Sequence, residues 1–158
     1  MNYLITGTSG YVGSQLNRYL KERGHTITEL RRQPSATPQS CVIPFSLGEE
    51  LSPAALRGAD ALIHCAYDFR ARGWSEIAAR NVEGTEKLFR AAREAGVSSL
   101  VLISSISAFE GCSSLYGRAK LACEKIAAAH GAVVIRPGLV YGASPGGMVG
   151  KLRQSVRG

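Results

Sequence analysis

A chain of 158 residues, 45% hydrophobic and 20% charged, is the size of one domain and can bury a core without help from disulfides or metals. Its net charge of +7 is spread along the sequence, with no block of basic residues and no helix-turn-helix, zinc-finger or RNA-binding pattern, so no nucleic-acid partner is expected. No apolar run approaches the roughly 20 residues that cross a bilayer, and the start of the chain lacks the basic and apolar regions of a leader, so the expected setting is the cytoplasm, with no membrane partner.

In chain order, Asn2 to Thr6 is a short apolar run ending in glycines and reads as a buried strand. Tyr11 to Arg23 carries Val12, Leu16, Tyr19 and Leu20 at helical spacing and stops at Gly24. His25 to Leu30 reads as a second strand, and Arg31 to Ser40 as a loop rich in Pro, Ser, Thr and Gln. Cys41 to Phe45 is a third strand, and a short helix is expected after Pro53. Ala61 to Cys65 is a fourth strand, followed by one long helix over Glu76 to Ala95. Leu100 to Ser104, a helix over Tyr116 to Ala129, and Ala132 to Arg136 complete the alternation. Gly142 to Gly147 reads as a turn-rich loop, with another helix beginning after it. Strands alternating with helices predict an α/β fold, a doubly wound parallel sheet of order 3-2-1-4-5-6 over a single domain, residues 1–158. Ligands in such sheets sit beyond the carboxyl ends of the strands.

The first such end reads Thr6-Gly7-Thr8-Ser9-Gly10-Tyr11-Val12-Gly13. Gly7 makes the tight turn, Gly10 admits a pyrophosphate, and Gly13 lets the helix pack on the strand. The N–H groups from Ser9 through Val12 then face the phosphates at the start of the helix. Between a strand and a helix of a βαβ unit this is a strong dinucleotide signal. The second strand ends Glu29-Leu30-Arg31-Arg32. An NAD-preferring chain usually carries an acid at position 31 to bond the ribose hydroxyl. Arg31 and Arg32 instead suit a 2′-phosphate, so NADP(H) is the expected cofactor, with NAD(H) as the alternative. Glu29 is expected on the opposite face from Leu30, away from the loop.

Tyr116 and Lys120 are four residues apart, which on a helix places them on one face. An ammonium there would lower a phenol pKa, ordinarily near 10, and equip Tyr116 as a general acid or base toward a carbonyl or alcohol. The fifth strand ends in Ser104-Ser105. Ser105 is placed to bond the substrate oxygen beside Tyr116, and Ser104 to pack near the nicotinamide ribose. The four cysteines, Cys41, Cys65, Cys112 and Cys123, form no Cys-x-x-Cys pair, and His25, His64 and His130 are scattered, so reduced thiols and no metal are expected.

With these motifs in hand, nearly the whole chain resembles the NAD(P)-dependent epimerase/dehydratase family, the extended or atypical short-chain dehydrogenases/reductases with a Rossmann cofactor domain. Thr6 to Gly13 is similar to its glycine motif. Asp60-Ala61-Leu62-Ile63-His64-Cys65-Ala66 resembles its Asp-x-Val-x-His-x-Ala strand, which implies that Cys65 and Ala66 lie along the cofactor. Asn81-Val82-Glu83-Gly84-Thr85 resembles its Asn-x-x-Gly-Thr helix, implying that Asn81 supports the active site. Ser105, Tyr116 and Lys120 match its catalytic set. Ile135 to Gly142 resembles the Arg-Pro-x-x-x-Tyr-Gly segment, implying that Pro137 and Val140 close over the nicotinamide.

The chain departs from the family pattern in three places. Ser105 and Tyr116 are 11 residues apart, shorter than in sugar-nucleotide enzymes, which leans toward the atypical subgroups. Ser46-Leu47 stands where the family often has an adenine-binding Asp, leaving adenine to Leu47 and Ser46. The sequence ends at Gly158, whereas family members continue into a substrate region, so that region is expected to be largely absent. The resemblance implies an oxidoreductase, epimerase or dehydratase acting on a small carbonyl or alcohol or a nucleotide-sugar-like compound, the alternative being a non-catalytic NADP-binding module. Arg70, Arg72, Trp74, Phe109 and Glu110 flank the expected pocket. The helices Glu76 to Ala95 and Tyr116 to Ala129 form a dimer face in this family, which implies a homodimer.

Overall fold

Short apolar runs form strands and helical-period runs form the helices between them in a computed structural model, which describes residues 1–32 and 41–142. The order is β1 (Asn2–Thr6), α1 (Tyr11–Glu22), β2 (Thr26–Arg31), β3 (Cys41–Pro44), a 3-10 turn (Pro53–Leu56), β4 (Ala61–His64), α2 (Gly73–Ile77), a π-helical turn (Ala78–Val82), α3 (Glu83–Glu94), β5 (Ser99–Ile103), α4 (Leu115–Ala129) and β6 (Val133–Ile135). Every strand pair is parallel, and the sheet order is β3-β2-β1-β4-β5-β6, as the alternation predicts. The turn-rich loop and helix expected beyond Gly142, and most of the loop expected over Arg31 to Ser40, lie outside the described residues.

Register decides which side chains share a face. Leu4, Leu62 and Leu100 stand in one row across β1, β4 and β5. With Leu30 and Leu102 they pack on Leu88, Phe89 and Ala92 of α3 and on Cys123 and Ala127 of α4. The opposite row places Ile5 beside Glu29, on the side of α1. Strands that are covered on both faces in this way read as unbroken apolar runs, which is why periodicity located them.

The single long helix expected over Glu76 to Ala95 is a correction. It starts earlier, at Gly73, and a π turn spanning Ala78–Val82 divides it. Two tertiary constraints coincide there. The Asn81 amide is held by the backbone of Asp68, which donates N–H to Oδ1 at 2.7 Å. Gly84 lies so close to the loop at Gly48 that a Cβ would come within 2.6 Å of the Gly48 nitrogen. An extra residue in the turn satisfies both, and π turns recur at functional sites.

Candidate active site

The carboxyl ends of β1, β2 and β4 open into a cleft of about 570 Å³. Of the residues expected at a cofactor, Gly7, Ser9, Gly10, Arg31, Arg32, Leu47, Cys65 and Ala66 line it. The glycine loop is shaped by close approach. Gly7 has a φ of +70°, and a Cβ there would meet the Ala66 nitrogen at 2.8 Å; at Gly13 it would meet the Gly7 oxygen at 2.3 Å. Gly10 differs: an added Cβ meets only the Gly7 oxygen, at 3.3 Å. The fold alone demands less of glycine there than at Gly7 or Gly13, and Gly10 lines the cleft. Gly10 is also the N-cap of α1, with no side-chain cap on the N–H groups of the first turn, which include those of Tyr11 and Val12. An uncapped helix start beside a glycine cradle fits a pyrophosphate.

At the second strand end, Glu29 lies buried under α1. Its carboxylate accepts from the Thr8 hydroxyl at 2.7 Å, from Asn17 Nδ2 at 2.9 Å and from Lys21 Nζ at 3.2 Å. Burial raises its carboxyl, but these hydrogen bonds prevail and hold it below the ordinary value. Arg31 reaches back to it, with Nη1 3.5 Å from Oε2. Glu29 is therefore tied to the glycine loop after all, and it anchors Arg31 at the cleft wall.

A buried relay joins the cleft floor to the π turn. Thr6 Oγ1 lies 2.7 Å from His64 Nδ1, and His64 Nε2 lies 3.1 Å from Thr85 Oγ1. The Thr85 hydroxyl donates to the Asn81 carbonyl at 2.7 Å, and Thr6 Oγ1 accepts the N–H groups of Cys65 and Ala66, both at 3.1 Å. The Thr85 hydroxyl therefore accepts from a protonated Nε2, and Nδ1 accepts from Thr6, a neutral imidazole. Burial and the nearby Lys120 charge push His64 down to about 3. The sign follows from linkage: below pH 6.5 the unfolded chain protonates this histidine while the folded chain refuses, so stability present above that pH is lost as pH falls toward 3. Between pH 6.5 and pH 5 this one group is expected to cost about 2 kcal/mol. Thermal melts at pH 7 and 5 check it, with a smaller acid-induced fall in Tm expected for His64→Asn.

Asn81 is a positioning residue in this geometry. Oδ1 accepts the Asp68 N–H, and Nδ2 donates to the Asp68 carbonyl at 3.3 Å, so both ends of the amide are turned to the Asp68 backbone. It thereby fixes the segment after β4 that carries Tyr67 and Phe69. These two aromatics, absent from the sequence reading, connect the cleft to Tyr116: both line it, Tyr67 meets the Tyr116 ring edge-on at 4.9 Å, and Phe69 stacks on it at 5.8 Å. The rule that ligands sit past strand ends was the signal that could have found them, since they follow Ala66 directly. Asp68 is held well below the usual carboxylate range, chiefly by Arg70 and also by Arg80.

The remaining expected residues divide. Burial raises the Tyr116 phenol, and a hydrogen bond with Ser105 opposes it. Lys120 is buried one turn on, but its Nζ donates to the Ile103 carbonyl at 2.8 Å and lies 5.5 Å from the Tyr67 ring centre. The expected lowering of Tyr116 by Lys120 is thus corrected: burial prevails at the phenol, and the ammonium is drawn to the end of β5. Ser104 is corrected too. Its hydroxyl faces α4 and donates to Glu124 at 2.5 Å, away from the cleft, and Glu124 also accepts from Arg136 Nε at 2.7 Å. That pair fastens the segment carrying Pro137 and Val140. The Pro137 carbonyl accepts from the Ile106 N–H at 3.4 Å, and a Cβ on Gly142 would come within 2.6 Å of the Tyr11 hydroxyl. The segment therefore runs from Ser105's loop back to the start of α1. Burial keeps the Cys65 thiol protonated, pushed up to about 12. Among the described residues no cluster of metal-ligating side chains occurs, and no helix is long and apolar enough to cross a membrane.

A parallel sheet in this order, with a glycine cradle at the first strand end and a cleft across the next two, defines a Rossmann-type nucleotide-binding fold. Within that class, the chain belongs to the NAD dependent epimerase/dehydratase family, whose model matches residues 3–157. It is 29% identical to a 3 beta-hydroxysteroid dehydrogenase/Delta 5-->4-isomerase of Mycobacterium tuberculosis (strain CDC 1551 / Oshkosh), over 97% of this chain and 50% of that protein. It is 32% identical to a ceramide reductase of Caulobacter vibrioides (strain NA1000 / CB15N), over 87% of this chain and 46% of that protein. Among solved structures, MoeE5 in complex with UDP-glucuronic acid and NAD superposes with a TM-score of 0.83 at 26% identity, covering 98% of this chain and 61% of that one. The chain spans about half the length of the curated relatives it matches.

Proposed function

We propose that this chain is the cofactor-binding part of an NADP(H)-dependent oxidoreductase that reduces a carbonyl compound, with Tyr116 as the proton donor. The observation that carries the reading is the placement of the Tyr116 ring against Tyr67 and Phe69, two aromatics that line the cleft, with Lys120 buried one turn further along the same helix. A phenol is protonated at neutral pH, the state required to give a proton to a carbonyl oxygen. Ser105 orients that oxygen toward the phenol. Lys120, fixed on the Ile103 carbonyl, holds positive charge behind the reacting face. A dinucleotide fits the cleft: the Gly7 to Gly13 cradle would take the pyrophosphate, Leu47 the adenine edge, and Arg31 and Arg32 the 2′-phosphate. When bound, the nicotinamide supplies or accepts the hydride. Similarity to a hydroxysteroid dehydrogenase and to a ceramide reductase supports carbonyl–alcohol chemistry.

Calorimetric titration with NADP(H) and NAD(H) is expected to favour NADP(H) by about tenfold or more, since a hydrogen bond to a charged group contributes about 1.5–3 kcal/mol. Arg32→Ala should remove most of that preference, because among the described residues Glu29 holds Arg31 and no carboxylate holds Arg32. Equal or tighter NAD(H) binding by the wild type would refute the arginine assignment. NADPH oxidation with a panel of ketones and aldehydes tests the chemistry. Firm cofactor binding with no turnover on any of them would point to a binding module instead.

A further inference from the structure

We propose that Glu29 is a positioning residue that sets cofactor preference by withholding Arg31 from the ligand, and that Lys21 of α1 sets how firmly it does so. The inference rests on the dinucleotide reading above and deepens it. Arg31 and Arg32 line the cleft; Glu29 and Lys21 stand behind its wall.

Glu29 and Arg31 are two residues apart on β2 and share a face of the strand. The buried carboxylate divides its oxygens between two sets of partners. Oε2 accepts from the Thr8 hydroxyl at 2.7 Å and lies 3.5 Å from Arg31 Nη1. Oε1 accepts from Asn17 Nδ2 at 2.9 Å and from Lys21 Nζ at 3.2 Å. Asn17 gives its nitrogen to the anion and leaves its own buried Oδ1 without a hydrogen-bond partner among the described residues.

Arg31 is the most loosely held of these four partners. A buried carboxylate stripped of its only cation is costly, which would lock Arg31 in place if it were alone. Lys21 removes that constraint, because it stays on Oε1 when the guanidinium turns to a 2′-phosphate. The carboxylate therefore has two exchangeable counter-ions, and only one of them faces the cleft. Losing Lys21 tightens the hold on Arg31, and losing the carboxylate frees Arg31 to join Arg32. Glutamine is readily accommodated at position 29: its oxygen keeps the Thr8 hydroxyl, and the Asn17 amide, turned over, offers Oδ1 to the new Nε2.

The test is calorimetric titration of the chain with NADP+ and with NAD+. The ratio of the two affinities is expected to move toward NADP+ by about two- to fivefold in Glu29→Gln, and toward NAD+ by about as much in Lys21→Met, the range for a partly exposed ion pair. Lys21→Arg should keep the wild-type ratio. In an Arg31→Ala background both shifts should vanish, since they act through that guanidinium. Shifts that persist without Arg31 would mean charge acting through space, and a Glu29→Gln variant that weakens both cofactors equally would mean mere support of the glycine loop; either overturns the proposal. Should Glu29→Gln melt too early to titrate, Lys21→Met with its Arg31→Ala control decides alone. The two readings fail separately. A wild type that prefers NAD+ while Arg31-dependent shifts are still seen sinks the NADP(H) assignment and spares this proposal, whereas a wild type that prefers NADP+ with a ratio unmoved by either variant does the reverse.

Discussion

Tyr116→Phe is expected to lower the rate of carbonyl reduction by about 10²–10⁴-fold, the usual contribution of a positioned general acid, and to leave cofactor affinity within about twofold. The substitution removes one hydroxyl and keeps the ring, so the stack on Phe69 and the edge contact with Tyr67 persist. What is lost is the hydroxyl proposed as the proton donor. Single-turnover NADPH oxidation measures the first effect and calorimetry the second. An unchanged rate would remove Tyr116 from the chemistry. Lys120→Met should also lose turnover, and it should melt earlier than Tyr116→Phe, because the buried Ile103 carbonyl is left without its donor.

Gly10→Val is expected to abolish dinucleotide binding, weakening it by about 100-fold or more, while the sheet stays folded. The three glycines of the cradle are not equivalent. Side chains at positions 7 or 13 would collide with backbone, at 2.8 and 2.3 Å, and would disrupt the β1–α1 turn itself. At position 10 a Cβ would lie 3.3 Å from the Gly7 oxygen, so the turn must give by only a few tenths of an ångström to take valine, with about 1 kcal/mol more for a poorer helix cap. Its branched side chain then occupies the space over the uncapped first turn of α1. Circular dichroism and melting temperature near wild type, with calorimetric binding gone, is the expected pair of results. Binding within tenfold of wild type would place the phosphates elsewhere.

Much of the fold was legible because a doubly covered parallel sheet needs short apolar runs, and the glycine cradle because backbone approach allows few residues. The π turn was not legible. Ile77, Val82, Leu88 and Ala92 continue a helical rhythm, and what interrupts it are contacts from Asp68 and Gly48, both distant in sequence. Two side-chain directions were written in the strand alternation and went unread. Residues 29 and 31 share a face of β2, so Arg31 could meet Glu29. Ser104 continues the row of Leu102, which packs toward α3 and α4, so its hydroxyl meets Glu124 on α4. The state of Tyr116 depends on burial by Tyr67 and Phe69 and on where the Lys120 ammonium settles, neither of which a four-residue spacing reveals.

The π turn acts as a strut between the two ends of the cleft. On one side the Gly48 loop rests on it, with a Cβ on Gly48 coming within 3.3 Å of Arg80 Cα, and Lys87 Nζ donates to the Gly48 carbonyl at 3.1 Å. On the other side Asn81 grips Asp68, between the two aromatics that meet Tyr116. The two ends of the cleft are therefore mechanically linked: a displacement of the Gly48 loop would be passed through the π turn to Asp68, and so to the segment that carries Tyr67 and Phe69.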